Sequence, residues 1–79
     1  MNNQRRMQIR KLKESLLENK RNLEKIVNEE NISFDSMPEN LQGSDRGMES
    51  EDAIDAMEEA IENLEEAINK VGEIIWVED

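Results

Sequence analysis

Seventy-nine residues allow one domain, and Lys and Arg contribute 10 charges against 20 from Asp and Glu, a formal net charge of −10. The absence of His, Cys and Tyr excludes the usual general base, the thiol nucleophile, a disulfide framework and imidazole or thiolate metal sites. One Phe and one Trp leave little aromatic mass for a core, which at this length supplies only about 3–5 kcal/mol unless something staples it, and the staple that remains is another chain.

Met1 to Lys13 is basic and polar with no apolar stretch after it, so no secretory leader is expected. Nowhere do apolar residues run to the roughly 18 that a membrane span requires, and the default expectation is a soluble cytoplasmic protein with no membrane partner. Charge is divided along the chain. Residues 1–27 carry eight bases against Glu14, Glu18 and Glu24, a net +5, whereas residues 28–79 carry Arg46 and Lys70 against seventeen acids, a net −15. Opposite signs in so short a chain point to two halves that face each other.

The first element expected is a basic helix over residues 4–30. Ile9, Leu16 and Leu23 recur every seven residues at heptad position a, Leu12 and Ile26 fall at d, and polar Asn19 interrupts d, where it is expected to fix register. Leu17 and Val27 fall beside this seam. Arg5, Arg6, Arg10, Lys11 and Lys13 form a patch that could touch phosphates. No aromatic residue is interleaved with the patch for base stacking, and the net charge repels nucleic acid at long range. Nucleic-acid binding through this helix is therefore the alternative reading and not the leading one.

Residues 31–47 form the connector, with Phe34, Pro38, Gly43 and Gly47. A structureless loop of that length is unusual inside a compact domain, so the segment is expected to fold over something. Pro38 suits the first position of a short helical turn over 38–42, and Gly43 the position just past its end. Ile32, Phe34, Met37 and Leu41 would then plug the end of the helix pair, a structural reading that outweighs a binding site here.

The third element is an acidic helix over residues 48–75, capped by Ser44 or Ser50. Its sequence repeats every seven residues: Ile54, Ile61, Ile68 and Ile75 fall at a, and Met57, Leu64 and Val71 at d. Carboxylates occupy b, e and f, and Ala53, Ala60 and Ala67 occupy g. Glu58, Glu59, Glu62, Glu65 and Glu66 have the chemistry to hold a hard cation such as Mg²⁺. The register turns Glu59, Glu62 and Glu66 outward, and a Glu-x-x-His di-iron pattern is impossible without histidine, so a solvated face is expected, with no metal and no cofactor. No base is available to activate a serine, which leaves no nucleophile and no expected enzymatic activity. Trp76 either packs over the end of the pair against Arg5, Arg6 or Ile9 or serves as a contact for a partner.

Flanking charges decide how the helices pair. Antiparallel packing sets e against e and g against g, bringing Lys13 and Lys20 to Glu58 and Glu65 on one side, and Ser15 and Asn22 to the alanines on the other. Exposed ion pairs contribute only about 0–1 kcal/mol each, so they select orientation while the apolar seam supplies stability. One hairpin leaves that seam open, and the alanine flank lets another helix approach closely. The expected fold is all-α, an antiparallel coiled-coil-like hairpin dimerising into a four-helix bundle.

The connector Phe34-Asp35-Ser36-Met37-Pro38-Glu39-Asn40-Leu41-Gln42-Gly43-Ser44-Asp45-Arg46-Gly47, followed by the Ala- and Ile-rich acidic helix, resembles a group of small uncharacterised proteins of Gram-positive bacteria and their phages and mobile elements. The resemblance covers about two-thirds of the chain and brings no settled activity. It implies a mobile-element origin, in which small acidic proteins that block basic nucleic-acid-handling enzymes are one known solution. The function expected is thus a non-enzymatic protein–protein interaction module, a homodimer whose Asp55, Glu59, Glu62, Glu66 and Trp76 meet a basic protein partner.

Overall fold

The computed structural model describes residues 1–76, with Trp76 described by its backbone alone. Helix α1 spans Asn3–Asp35 and starts at Asn2, whose side-chain carbonyl accepts the Arg5 N–H at 2.8 Å. It runs past the end expected at residue 30, because residues 28–35 contain no Pro or Gly and Pro38 is the first residue to steer its predecessor away from helical backbone. Ser36 closes it, donating its N–H to the Ile32 carbonyl at 3.0 Å and its hydroxyl to the same carbonyl at 2.8 Å, while the Met37 N–H donates to the Phe34 carbonyl at 3.0 Å.

A single helical turn, α2 (Glu39–Gln42), follows. Pro38 stands at its cap and not at its first helical position, and its carbonyl accepts the Leu41 and Gln42 N–H groups at 2.9 and 3.0 Å. Gln42 ties the turn back to α1, its side-chain amide donating to the carbonyls of Phe34 at 3.1 Å and Met37 at 3.2 Å. The plug expected of this segment is only half realised. Phe34 and Met37 are half-buried, but Ile32 is 59% and Leu41 41% exposed. Lengthening α1 places Ile32 on its outward column, out of reach of the pair's end.

Helix α3 spans Asp45–Trp76 and returns along α1. Lys20 pairs with Glu65 at 3.1 Å, and the buried Ser50 hydroxyl donates to Glu30, which fixes an antiparallel hairpin measuring 60 × 14 × 13 Å. Among the described residues the chain is entirely helix and turn, and none of its helices is long and apolar enough to cross a membrane.

The two helices contribute unequally to the seam. On α3 the heptad columns face α1: Ile54 and Ile68 are buried, with Met57, Ile61, Leu64, Val71 and Ile75 half-buried. On α1, Ile9, Leu16 and Leu23 are half-buried in the seam, but Leu12 is 60% exposed, Ile26 51% exposed and Asn19 exposed. The second column is instead Arg6, Lys13, Lys20, Val27 and Phe34, of which Val27 is the buried member. The reading of Leu12, Asn19 and Ile26 as the hairpin's own d column is therefore corrected. Carried to the true end of α1, their column finishes on Ser33, whereas the observed one finishes on buried Val27 and half-buried Phe34. The lysines are tolerated because their aliphatic stems cover the α3 seam, with the Lys20 ammonium reaching Glu65 and the Lys13 ammonium ending over Gly72.

Lys13 illustrates the adjustment. Its ammonium end lies over buried Gly72, where an added Cβ would stand 3.2 Å from Nζ, so the expected Lys13–glutamate contact is replaced by placement of the ammonium end against a glycine. The charge pairing to test is accordingly Lys20 with Glu65. Lys20→Glu alone is expected to destabilise the hairpin by about 0.5–1 kcal/mol, and adding Glu65→Lys to recover most of it. Urea titration of the two variants reads this directly, and no recovery in the double variant refutes the pairing.

Candidate interaction surfaces

Two unlike sides flank the seam. On one, Leu17 and Lys20 of α1 meet Glu65, Ile68 and Asn69 of α3 around a shallow groove. On the other, Ser33 of α1 and Arg46 of α3 join Glu30, Met37, Glu49 and Ser50 around an open depression beside the connector. Heptad spacing extends this second side along the hairpin. Steps of seven back from Ser33 reach Ile26, Asn19 and Leu12. Steps of seven forward from Arg46 reach Ala53, Ala60, Ala67 and Ile74. Leu12, Ile26 and Ile74, which is 41% exposed, thus stand on one face around a floor of alanines. The alanine flank was expected to oppose Ser15 and Asn22, and the rotation of α1 puts Leu12, Asn19 and Ile26 there instead.

The outward half of α3 is carboxylate. Asp55, Glu59, Glu62 and Glu66 are all exposed and face away from α1, with successive turns rising about 5.4 Å. Among the described residues no three carboxylates converge as a cation site requires. The side chain of Trp76, and with it the packing expected against Arg5, Arg6 or Ile9, lies outside the described residues. The basic patch is divided by the fold: Arg5, Arg10 and Lys11 are exposed, while Arg6 and Lys13 turn half-buried into the seam.

No protein-family model, curated protein or solved structure matches the chain. Its residues are therefore the sole basis for a functional reading. Three that matter structurally escaped the heptad reading. Ser50 continues the Met57, Leu64 and Val71 column by one step of seven, a signal present in the sequence, and it meets Glu30 in the seam. Gly47 and Gln42 had no comparable signal, since both are required by how α2 sits against the first turn of α3.

Proposed function

We propose that the chain is a non-enzymatic interaction module, a homodimeric four-helix bundle whose outward α3 carboxylates bind a basic protein, in its most specific form by imitating a phosphate backbone. The observation that carries the reading is the continuous carboxylate row. Asp55, Glu59, Glu62 and Glu66 are exposed along one side of α3, whereas the basic patch of α1 is split between exposed Arg5, Arg10 and Lys11 and half-buried Arg6 and Lys13.

Support for a second copy comes from surface area. The hairpin exposes 6217 Å², whereas a compact protein of 9.2 kDa exposes about 4,900 Å². The excess of about 1,300 Å² exceeds the roughly 800 Å² that each partner buries in a standard interface. The core agrees, since among the described residues no large side chain is fully buried in the single hairpin.

Competition tests the acidic face. At low salt the protein is expected to displace duplex DNA from a basic DNA-binding protein, and Glu59→Gln, Glu62→Gln and Glu66→Gln together to weaken that displacement at least about tenfold. The difference should vanish near 1 M salt, where the screening length falls to about 3 Å. Submicromolar binding of the protein itself to DNA or RNA, lost on Arg5→Ala, Arg6→Ala and Arg10→Ala, would overturn the reading in favour of direct nucleic-acid binding.

A further inference from the structure

The face bearing Leu12, Ile26 and Ile74 permits two ways of stacking one hairpin on another. A dyad across the hairpin sets α1 against the second copy's α1 and α3 against its α3. A dyad along the hairpin sets each α1 against the other copy's α3, with both connectors at the same end. Both are isologous, and they differ in what meets across the contact.

Charge separates them. Between Asp45 and Trp76, α3 carries eleven carboxylates against Arg46 and Lys70. Its contribution to the face is Ala53, Ala60 and Ala67, with Ile74 at the far end, and the alanines are short enough to bring a facing helix to about 8–10 Å. The crosswise dyad would hold two such acidic helices within about one screening length at 0.1 M salt, where repulsion is not screened away. The lengthwise dyad sets against each acidic helix the segment 1–27, whose net charge is +5.

Shape agrees with charge. In the hairpin Lys20 pairs with Glu65 and Lys13 lies at Gly72, so residue numbers facing one another sum to 85 along most of its length, and to 80 at the Glu30–Ser50 contact beside the connector. The lengthwise dyad preserves that register between copies. Ile26 then meets Ala60 of the other copy, a large side chain on a small one, and Leu12 meets the stretch beside Ile74, so apolar side chains face one another at both ends of the face. Asn19 falls between them, opposite Ala67.

Resting on the homodimeric reading above, we propose that a second copy of this chain occupies the Leu12, Ile26 and Ile74 face with the dyad along the hairpin. All four neighbouring helix pairs are then antiparallel, each pairs α1 with α3, and the two connectors lie at one end of the bundle.

A nitroxide label at Gly43 distinguishes the arrangements. The chain has no cysteine of its own, and a Cβ at Gly43 meets nothing within 4 Å, so Gly43→Cys labels a single tolerant site in the connector. Pulsed dipolar spectroscopy on the labelled full chain, with its mass from sedimentation equilibrium, is the experiment. The lengthwise dyad predicts a dimer mass and a label separation of roughly twice the 14 Å hairpin width. A dimer mass with a separation near the 60 Å hairpin length overturns the orientation and leaves the homodimer standing. A monomer mass overturns both.

Discussion

Gly47→Ala is expected to cost the fold about 3 kcal/mol or more, at the upper end of what overpacking does, while Gly43→Ala, four residues earlier, is expected to be neutral or to stabilise by up to about 1 kcal/mol. The contrast comes from what a Cβ meets. At Gly47 it would lie 2.0 Å from the Gln42 carbonyl oxygen, 2.5 Å from the Gln42 carbonyl carbon and 2.6 Å from the Leu41 carbonyl oxygen. All three are backbone atoms, so no side-chain rotation relieves the clash and α2 as a whole must retreat. That turn is held by the N–H groups of Leu41 and Gln42 on Pro38 and by the Gln42 side chain on Phe34 and Met37, so its retreat would strain or break these bonds. Gly43 has open space around it and φ of −85°, which any residue adopts. Thermal unfolding of the two variants decides the matter: a midpoint lowered by more than about 10 °C for Gly47→Ala alone is expected. Equal midpoints would mean that the close approach of α2 to α3 does not hold in solution.

The unequal legibility of the two long helices has one physical cause. On α3 the large apolar columns are unbroken from Ile54 to Ile75, and the column beside them is mostly alanine, too small to displace them from the seam. On α1 two columns compete for the second seam position. Leu12 and Ile26 argue for one by hydrophobicity, and only Val27 and Phe34 argue for the other. Hydrophobicity alone picks the first and is corrected by two facts outside any heptad count: the helix continues to Asp35, which brings Phe34 into play, and lysine stems can line a seam that lysine charges cannot enter. The sign of the flanking charges was less fragile, because Lys20 meets Glu65 from either column. The carboxylate row was legible for the same reason as the α3 seam, being its complement on a regular helix.

The rotation of α1 also determines the variant with the largest expected effect on assembly. Leu12 and Ile26 are more than half exposed in the single hairpin, so replacing both by Ala removes little intrachain contact, and alanine costs the helix nothing in propensity. In a homodimer each of the two occurs twice. Four truncated side chains at about 1–1.5 kcal/mol each, a part of the full transfer value because they start partly covered, amount to about 4–6 kcal/mol. At 1.4 kcal/mol per factor of ten, the dimer dissociation constant should rise by roughly three to four powers of ten. Ile32 supplies the control. It is 59% exposed, as accessible as Leu12, yet it lies on the outward column of α1 and away from the alanine floor, so Ile32→Ala should leave the constant unchanged. Sedimentation equilibrium across a wide concentration range separates the three proteins. The unfolding midpoint should rise with concentration for the parent chain and for Ile32→Ala, since association stabilises the folded form by mass action. For the Leu12→Ala, Ile26→Ala chain it should not move over the same range. An Ile32→Ala chain that dissociates as readily as the double variant would place the interface on a different face of α1.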